Sequence, residues 1–157
     1  MAGINERMIG LVDNLNEFNY HILGCGAIGS AAAIQLARMG AENFALYDND
    51  TVDTLNVGVS QYTIYDVGHA KVDMLQSHIK DINDDAEIMC SDELFSNFIY
   101  MNENDIIILG FDSMESRLDA VKKLSTWKHC KPYALIDGRM GAEHYQQYVF
   151  LKPDLKK

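Results

Sequence analysis

Apolar residues arrive along this chain in two alternating rhythms. Short unbroken runs have the length and the aliphatic and aromatic content of strands: Tyr20-His21-Ile22-Leu23, Phe44-Ala45-Leu46-Tyr47 and Ile106-Ile107-Ile108-Leu109. The last is apolar on both faces, as a central strand of a parallel sheet must be. Further strands are expected at 86–90, 133–136 and 145–151. Helices are expected between them, at 68–80, 94–100 and 116–128, and over the Ala-rich stretch 30–39, which stops at Gly40 where a helix end favours glycine. Ahead of the first strand, Ile4, Met8, Leu11 and Leu15 recur at spacings of four, three and four. That stripe predicts an amphipathic helix over 1–19.

Strands alternating with helices predict an α/β fold, a Rossmann-like, doubly wound and mostly parallel sheet with helices on both faces. The reading is a single domain over 1–157, made of the N-terminal helix 1–19 and a core over 20–151. In such sheets ligands bind beyond the carboxyl ends of the strands, near the point where strand order reverses. Composition narrows the ligand. With 13 basic against 23 acidic residues and a net charge of −10, the chain is a poor binder of DNA or RNA, whose affinity comes largely from neutralised phosphates. A small phosphate site built from backbone amides is still compatible. Cys25, Cys90 and Cys130 are far apart with no C-x-x-C pair, so no structural zinc or disulfide framework is expected, and a reducing cytoplasm is.

The chemistry-bearing residues fall just after the strands. Gly24-Cys25-Gly26-Ala27-Ile28-Gly29 leaves the first strand and enters a helix. Its first glycine suits a tight turn, its second lets a phosphate approach the backbone, and its third lets the helix pack on the strand. Free amides at the helix start then attract negative charge. Asp48, at the end of the second strand, stands where a carboxylate accepts hydrogen bonds from ribose hydroxyls. That pair is shared by NAD and ATP sites. Asp50, Asn56, Gln61 and Lys71 then place a carboxylate, two amides and a cation before the next helix, and Asp112 follows the fourth strand. A triphosphate needs such a set, since the cation offsets phosphate charge and a carboxylate holds Mg²⁺. The plainer alternative for this stretch is a surface lysine with Asp66 as the cap of its helix.

The segments G-C-G-A-I-G-S, L-A-R-M-G-A, Y-D-N-D-T-V-D-T-L-N, D-V-G-H-A-K and Asp112-Ser113-Met114-Glu115-Ser116-Arg117 resemble, in order and spacing, the ThiF/MoeB adenylyltransferases, the superfamily that includes ubiquitin-activating enzymes. The resemblance covers about 20–137. It implies an enzyme that uses ATP and Mg²⁺ to adenylate the C-terminal carboxylate of a small ubiquitin-like protein or peptide, and a homodimer. On it, Gly24, Gly26 and Gly29, with Ala27 and Ile28 between them, cradle phosphates and Asp48 holds the ribose. Asn56 and Lys71 contact the phosphates, and Asp112 binds the Mg²⁺.

The chain departs from that pattern in three places. The family's N-L-x-R-Q is replaced by Asn56-Val57-Gly58-Val59-Ser60-Gln61, which lacks the arginine. Arg7, reaching over from a second copy, and Arg139, after the fifth strand, are the candidate substitutes; Arg117 lies in the matched segment as a possible cap of its own helix. The paired C-x-x-C motifs of many members are absent. No long region after Leu151 carries a thioester cysteine, so thioester transfer is not expected. The alternatives are a nucleotide-binding regulatory module without turnover, and an NAD-dependent oxidoreductase.

Overall fold

The computed structural model describes residues 3–4, 6–12, 14–92, 101–126 and 131–155. Six strands form one sheet: β1 (Asn19–Leu23), β2 (Asn43–Tyr47), β3 (Glu87–Ser91), β4 (Asp105–Leu109), β5 (Ala134–Met140) and β6 (Tyr145–Leu151). Their order is β3-β2-β1-β4-β5-β6. All neighbours are parallel except β5 and β6, which are antiparallel. This is the Rossmann-like arrangement expected, with the order reversing beside β1.

Both faces of the central strands are covered, which is why their sequences are unbroken apolar runs. Alternate side chains point to opposite faces. Tyr20, Ile22, Phe44, Leu46 and Ile108 pack under α1 (Ala27–Met39) and α3 (Lys71–Ile82). Leu23, Ala45, Tyr47, Ile107 and Leu109 face α4 (Met114–Thr126). Each helix buries residues at helical spacing: Ala33, Ile34 and Ala37 in α1, Val72, Leu75 and Ile79 in α3, Ala120 and Leu124 in α4. Alanines let α1 lie close to the sheet. Leu75 and Ile79 are fully buried, worth roughly 1.5–3 kcal/mol each in transfer from water.

The register matters most for function. Leu23 lies opposite both Tyr47 and Leu109, so β1, β2 and β4 end level. The residues that follow, Gly24, Asp48 and Gly110, therefore open on one edge of the sheet.

Three local expectations change. The helix over 1–19 is not formed among the described residues, which hold only 3-10 turns at Glu6–Met8 and Leu15–Glu17. Gly10 takes φ 83°, a left-handed conformation that ends any helix; Ile4 and Leu11 stay 50% and 76% exposed, and Leu15 packs against the core from its own separate turn. The helix expected from residue 68 begins at Lys71, because Gly68 turns through φ 88° and Ala70, bridged to Thr51, takes extended backbone. The fifth strand runs on to Met140 because β6 pairs along all of it. The helix expected at 94–100 lies outside the described residues. No helix among the described residues is long and apolar enough to cross a membrane.

Candidate functional site

The level strand ends open into a cleft of about 190 Å³, lined by Gly24, Gly26, Asp48, Asn49, Asp50, Lys71, Gly110, Phe111, Asp112, Ser113 and Ser116. That volume is below the roughly 300–1,000 Å³ of closed small-molecule pockets, so a nucleotide seated here would extend over its rim.

The floor is main chain packed on main chain. Gly24 has φ 90°, and a Cβ on it would stand 2.9 Å from Gly110 and Phe111. A Cβ on Gly29 would be 1.8 Å from the Gly24 carbonyl oxygen, and one on Gly110 would be 2.5 Å from the same atom. Gly26 differs: its nearest contact would be Asp112 Oδ1 at an ordinary 3.5 Å. Gly24 and Gly29 are thus required by the fold, whereas the packing around Gly26 would admit a Cβ. Gly26 caps α1 without any side-chain hydrogen bond, so the amides of the first turn, from Ala27, Ile28 and Gly29, have no cap.

Asp48 organises the next layer. Its Oδ2 accepts from the Cys25 amide at 2.7 Å, and its Oδ1 accepts from the Asp50 amide at 2.9 Å. Each oxygen keeps a lone pair for a ribose hydroxyl. Tyr62, buried, donates to the Cys25 carbonyl at 2.6 Å and stands 3.3 Å from the Lys71 carbonyl, bracing the glycine loop against the start of α3. Burial pushes the Tyr62 phenol and the Cys25 thiol upward, and the neighbouring Asp48 charge adds to the rise at Cys25. Neither group ionises near neutral pH.

Lys71 is the cation of the cleft. Its side chain is only 7% exposed, and its Nζ lies 3.2 Å from Asp50 Oδ2. It is the first residue of α3, whose cap, Ala70, makes no side-chain hydrogen bond. Asp66 does not cap α3. Its Oδ2 instead accepts from the Thr63 amide at 2.6 Å and lies 2.7 Å from His78 Nε2. Burial raises the Asp66 pKa, but these hydrogen bonds outweigh it and the net shift is downward. Across the cleft, Ser113 receives the Ser116 amide at 3.1 Å and starts α4, with exposed Asp112 just before it.

Several expected residues do not reach the cleft. Asn56 closes the single turn α2 (Thr54–Val57), where its Oδ1 accepts from the Asp53 amide at 2.8 Å. Gln61 is exposed and its amide donates to Ser30 Oγ at 3.1 Å. Arg139 is engaged elsewhere: its Nε donates to Asp137 Oδ2 at 2.8 Å and its guanidinium lies 4.8 Å from the Tyr148 ring centre. Arg117 neither caps its own helix nor faces the cleft. It is buried, pairs with Asp137 and donates to the carbonyls of Leu109 and Phe111, fixing the backbone that leads to Asp112. Arg7 is exposed in the N-terminal turn. Sequence reasoning missed Asn49, Gly110, Phe111, Ser113 and Ser116 as lining residues; the glycine directly after an apolar strand was the available signal for Gly110.

The cleft therefore combines uncapped amides and one ammonium with three carboxylates, Asp48, Asp50 and Asp112. Alone, that surplus of negative charge repels a triphosphate. A divalent ion arriving with the nucleotide removes the conflict, since Mg²⁺ is held by one or two carboxylates plus phosphate oxygens. Among the described residues no three His, Cys, Asp or Glu side chains gather as a self-sufficient metal site. Carboxylate oxygens are the hard donors that Mg²⁺ takes, and that of Asp112 lies beside Gly26.

Comparison with known proteins places the chain in a family and the fold among solved structures. Residues 4–128 match the ThiF family. The chain is 32% identical over 130 residues to the tRNA threonylcarbamoyladenosine dehydratase of Bacillus subtilis, covering 80% of this chain and 50% of that protein. It is 38% identical over 84 residues to ubiquitin-like modifier-activating enzyme 5 of Arabidopsis thaliana, covering 52% and 19%. The chain thus spans half the length or less of these relatives. Among solved structures, E. coli MccB with MccA-N7isoASN shares the fold at TM-score 0.74 and 20% identity, over 88% of this chain and 41% of that one. E. coli MccB with ATP does so at TM-score 0.71 and 20% identity, over 88% and 44%.

Proposed function

From the premise that this chain belongs to the ThiF family, we propose that it adenylates a carboxylate at the expense of ATP, with Mg²⁺. The observation that carries the reading is one cleft that brings together a buried Lys71 ammonium, the bare main chain of Gly26 and the Asp112 carboxylate. In this reaction a carboxylate oxygen bonds to the α-phosphorus, the bond to pyrophosphate breaks, and an acyl-adenylate is left. Both reactants are anions, so catalysis consists of holding them together and offsetting charge. The uncapped amides of α1 and Lys71 take the phosphate oxygens. Asp48 holds the ribose through its remaining lone pairs. Asp112 would hold Mg²⁺, which would supply positive charge to offset that of the pyrophosphate. None of these side chains acts as a nucleophile.

The carrier of the carboxylate is a small ubiquitin-like protein or a peptide. One matched relative is named for a tRNA nucleoside, but a chain of net charge −10 is a poor surface for a polyanion. The arginine missing after Asn56 is supplied by Arg7 of a second copy, because Arg117 and Arg139 are both committed to Asp137. The pairing surface is β6, exposed at every position, without charge, and displaying Tyr145, Tyr148, Val149, Phe150 and Leu151 along a free sheet edge.

ATP–pyrophosphate exchange tests this, run with Mg²⁺ and panels of peptide C-termini, ubiquitin-like proteins and tRNA. Exchange that depends on a peptide or protein and disappears in Asp112→Ala, with the fold intact, is the expected result. Exchange only with tRNA would move the substrate class. ATP binding without exchange would favour a regulatory module, and preferential NAD binding would overturn the reading.

A further inference from the structure

Lys71 is placed at a cost. It carries a positive charge at the N-terminal end of α3, where the helix macrodipole is itself positive, and its side chain is only 7% exposed. A lone buried ammonium would withdraw from such a position toward water. Asp50 is what opposes the withdrawal, and the two residues are joined twice. The Lys71 amide donates to the Asp50 carbonyl at 3.0 Å, and the Lys71 ammonium lies 3.2 Å from Asp50 Oδ2. The same seam continues as Thr51 bridging Ala70, with the Val52 amide on the His69 carbonyl at 2.8 Å and the Gly68 amide on the Val52 carbonyl at 2.9 Å. Asp50 is in turn set by Asp48, whose other oxygen holds the Cys25 amide of the glycine loop. Loop, Asp48, Asp50 and Lys71 form one connected line.

We infer that Asp50 is a positioning residue, which acts on the nucleotide through Lys71 by holding its ammonium at the wall of the cleft. The inference rests on the reading of the cleft as a Mg-ATP site, and it separates Asp50 from Asp112, which meets the ligand directly. Asp50 is 67% exposed at its side chain, so its own charge is largely met by water, whereas that of Lys71 is not.

A double-mutant cycle on Mg-ATP binding by calorimetry tests it, with Asp50→Asn, Asp50→Glu, Lys71→Ala and the Asp50→Asn/Lys71→Ala pair. Asp50→Asn is expected to weaken Mg-ATP about tenfold in the Lys71 background and by less than about twofold once Lys71 is gone. Asp50→Glu is expected to recover most of the affinity. An equal loss in both backgrounds would mean that Asp50 meets the nucleotide or its metal itself. Tighter binding by Asp50→Asn would mean that it competes with phosphate. Either result overturns the inference. A second measurement needs no nucleotide: acylation of Lys71 by an amine-reactive reagent, followed by peptide mass spectrometry. Labelling is expected to accelerate severalfold in Asp50→Asn and to stay slow in Asp50→Glu. Unchanged labelling overturns the inference. Accelerated labelling in a protein that binds no ATP overturns the Mg-ATP reading instead.

Discussion

Replacing Lys71 with methionine separates what the residue costs the fold from what it contributes to function. The attraction it would lose is small. At 3.2 Å from Asp50 Oδ2, Coulomb's law gives roughly 1 kcal/mol at the dielectric of water and about 5 kcal/mol at the value suited to partly buried pairs. The pair is lopsided, with Asp50 67% exposed and Lys71 only 7%, so the lower figure applies more closely. Against it stand the desolvation of the ammonium, several kcal/mol, and roughly 0.3–1 kcal/mol for a cation at the positive end of a helix. Methionine keeps the apolar stem and frees Asp50 to water. Lys71→Met is therefore expected to stabilise the protein by about 1 kcal/mol, or roughly 2–4 °C in Tm for a chain of this size. Exchange activity is expected to fall by about 10²–10³-fold, as when a donor to a developing charge is removed. Urea unfolding monitored by circular dichroism, with an unchanged m-value, gives the stability change. A loss of more than about 1 kcal/mol would refute the reasoning and make the ion pair a structural one.

Three further outcomes are expected. Gly29→Ala should destabilise by at least about 3 kcal/mol, because its Cβ would lie 1.8 Å from the Gly24 carbonyl; Gly26→Ala should cost the fold less than about 1 kcal/mol yet abolish Mg-ATP binding, and calorimetry with thermal melts distinguishes the two. Asp66 and Asp105 have carboxyl groups held below the ordinary 3.8 by hydrogen bonds that outweigh burial, His78 and Thr63 at the first, His21, Asn102 and Asn19 at the second. Their contribution is present above that ordinary value and is lost as pH falls through the lowered one, so urea midpoints should drop below about pH 4, and Asp105→Asn should flatten that acid limb. Burial pushes the Cys90 thiol up to about 11 and Cys25 well above its usual range, so iodoacetamide at pH 8 should leave both unlabelled until urea is added, as mass spectrometry will read.

The sheet was legible because strands buried on both faces carry one signal, an apolar run, and it survives any detail of packing: Ile106 to Leu109 could be nothing else. The glycine loop was legible because motif spacing places it at a strand end, and Lys71 because its motif places it at the start of a helix. What failed depended on contacts that spacing does not encode. The stripe Ile4, Met8, Leu11, Leu15 has the period of a helix, but period says nothing about whether a surface exists to bury it, and Gly10 breaks it. Arg139 looked free in the sequence, yet Asp137, two residues earlier and on the same face of β5, claims it. Asn56 was read as a ligand of phosphate, although an Asp three residues before it makes it half of a helix-capping pair. The alternative of Lys71 as a surface lysine with Asp66 capping its helix also fails, since Lys71 is buried and Asp66 accepts from Thr63 instead.

The floor of the cleft, where Gly24, Gly29 and Gly110 meet atom to atom, also constrains how this protein can change over evolutionary time. A floor of side chains can be adjusted a methylene at a time, and each adjustment shifts ligand preference slightly. A floor of bare main chain offers no such gradation, since the smallest possible change at Gly29 is already a clash of 1.8 Å with Gly24. Variation must therefore accumulate around the rim, at positions such as Asn49, Phe111 and Ser113. The floor of the cleft is inherited whole or lost whole, while its rim is free to drift.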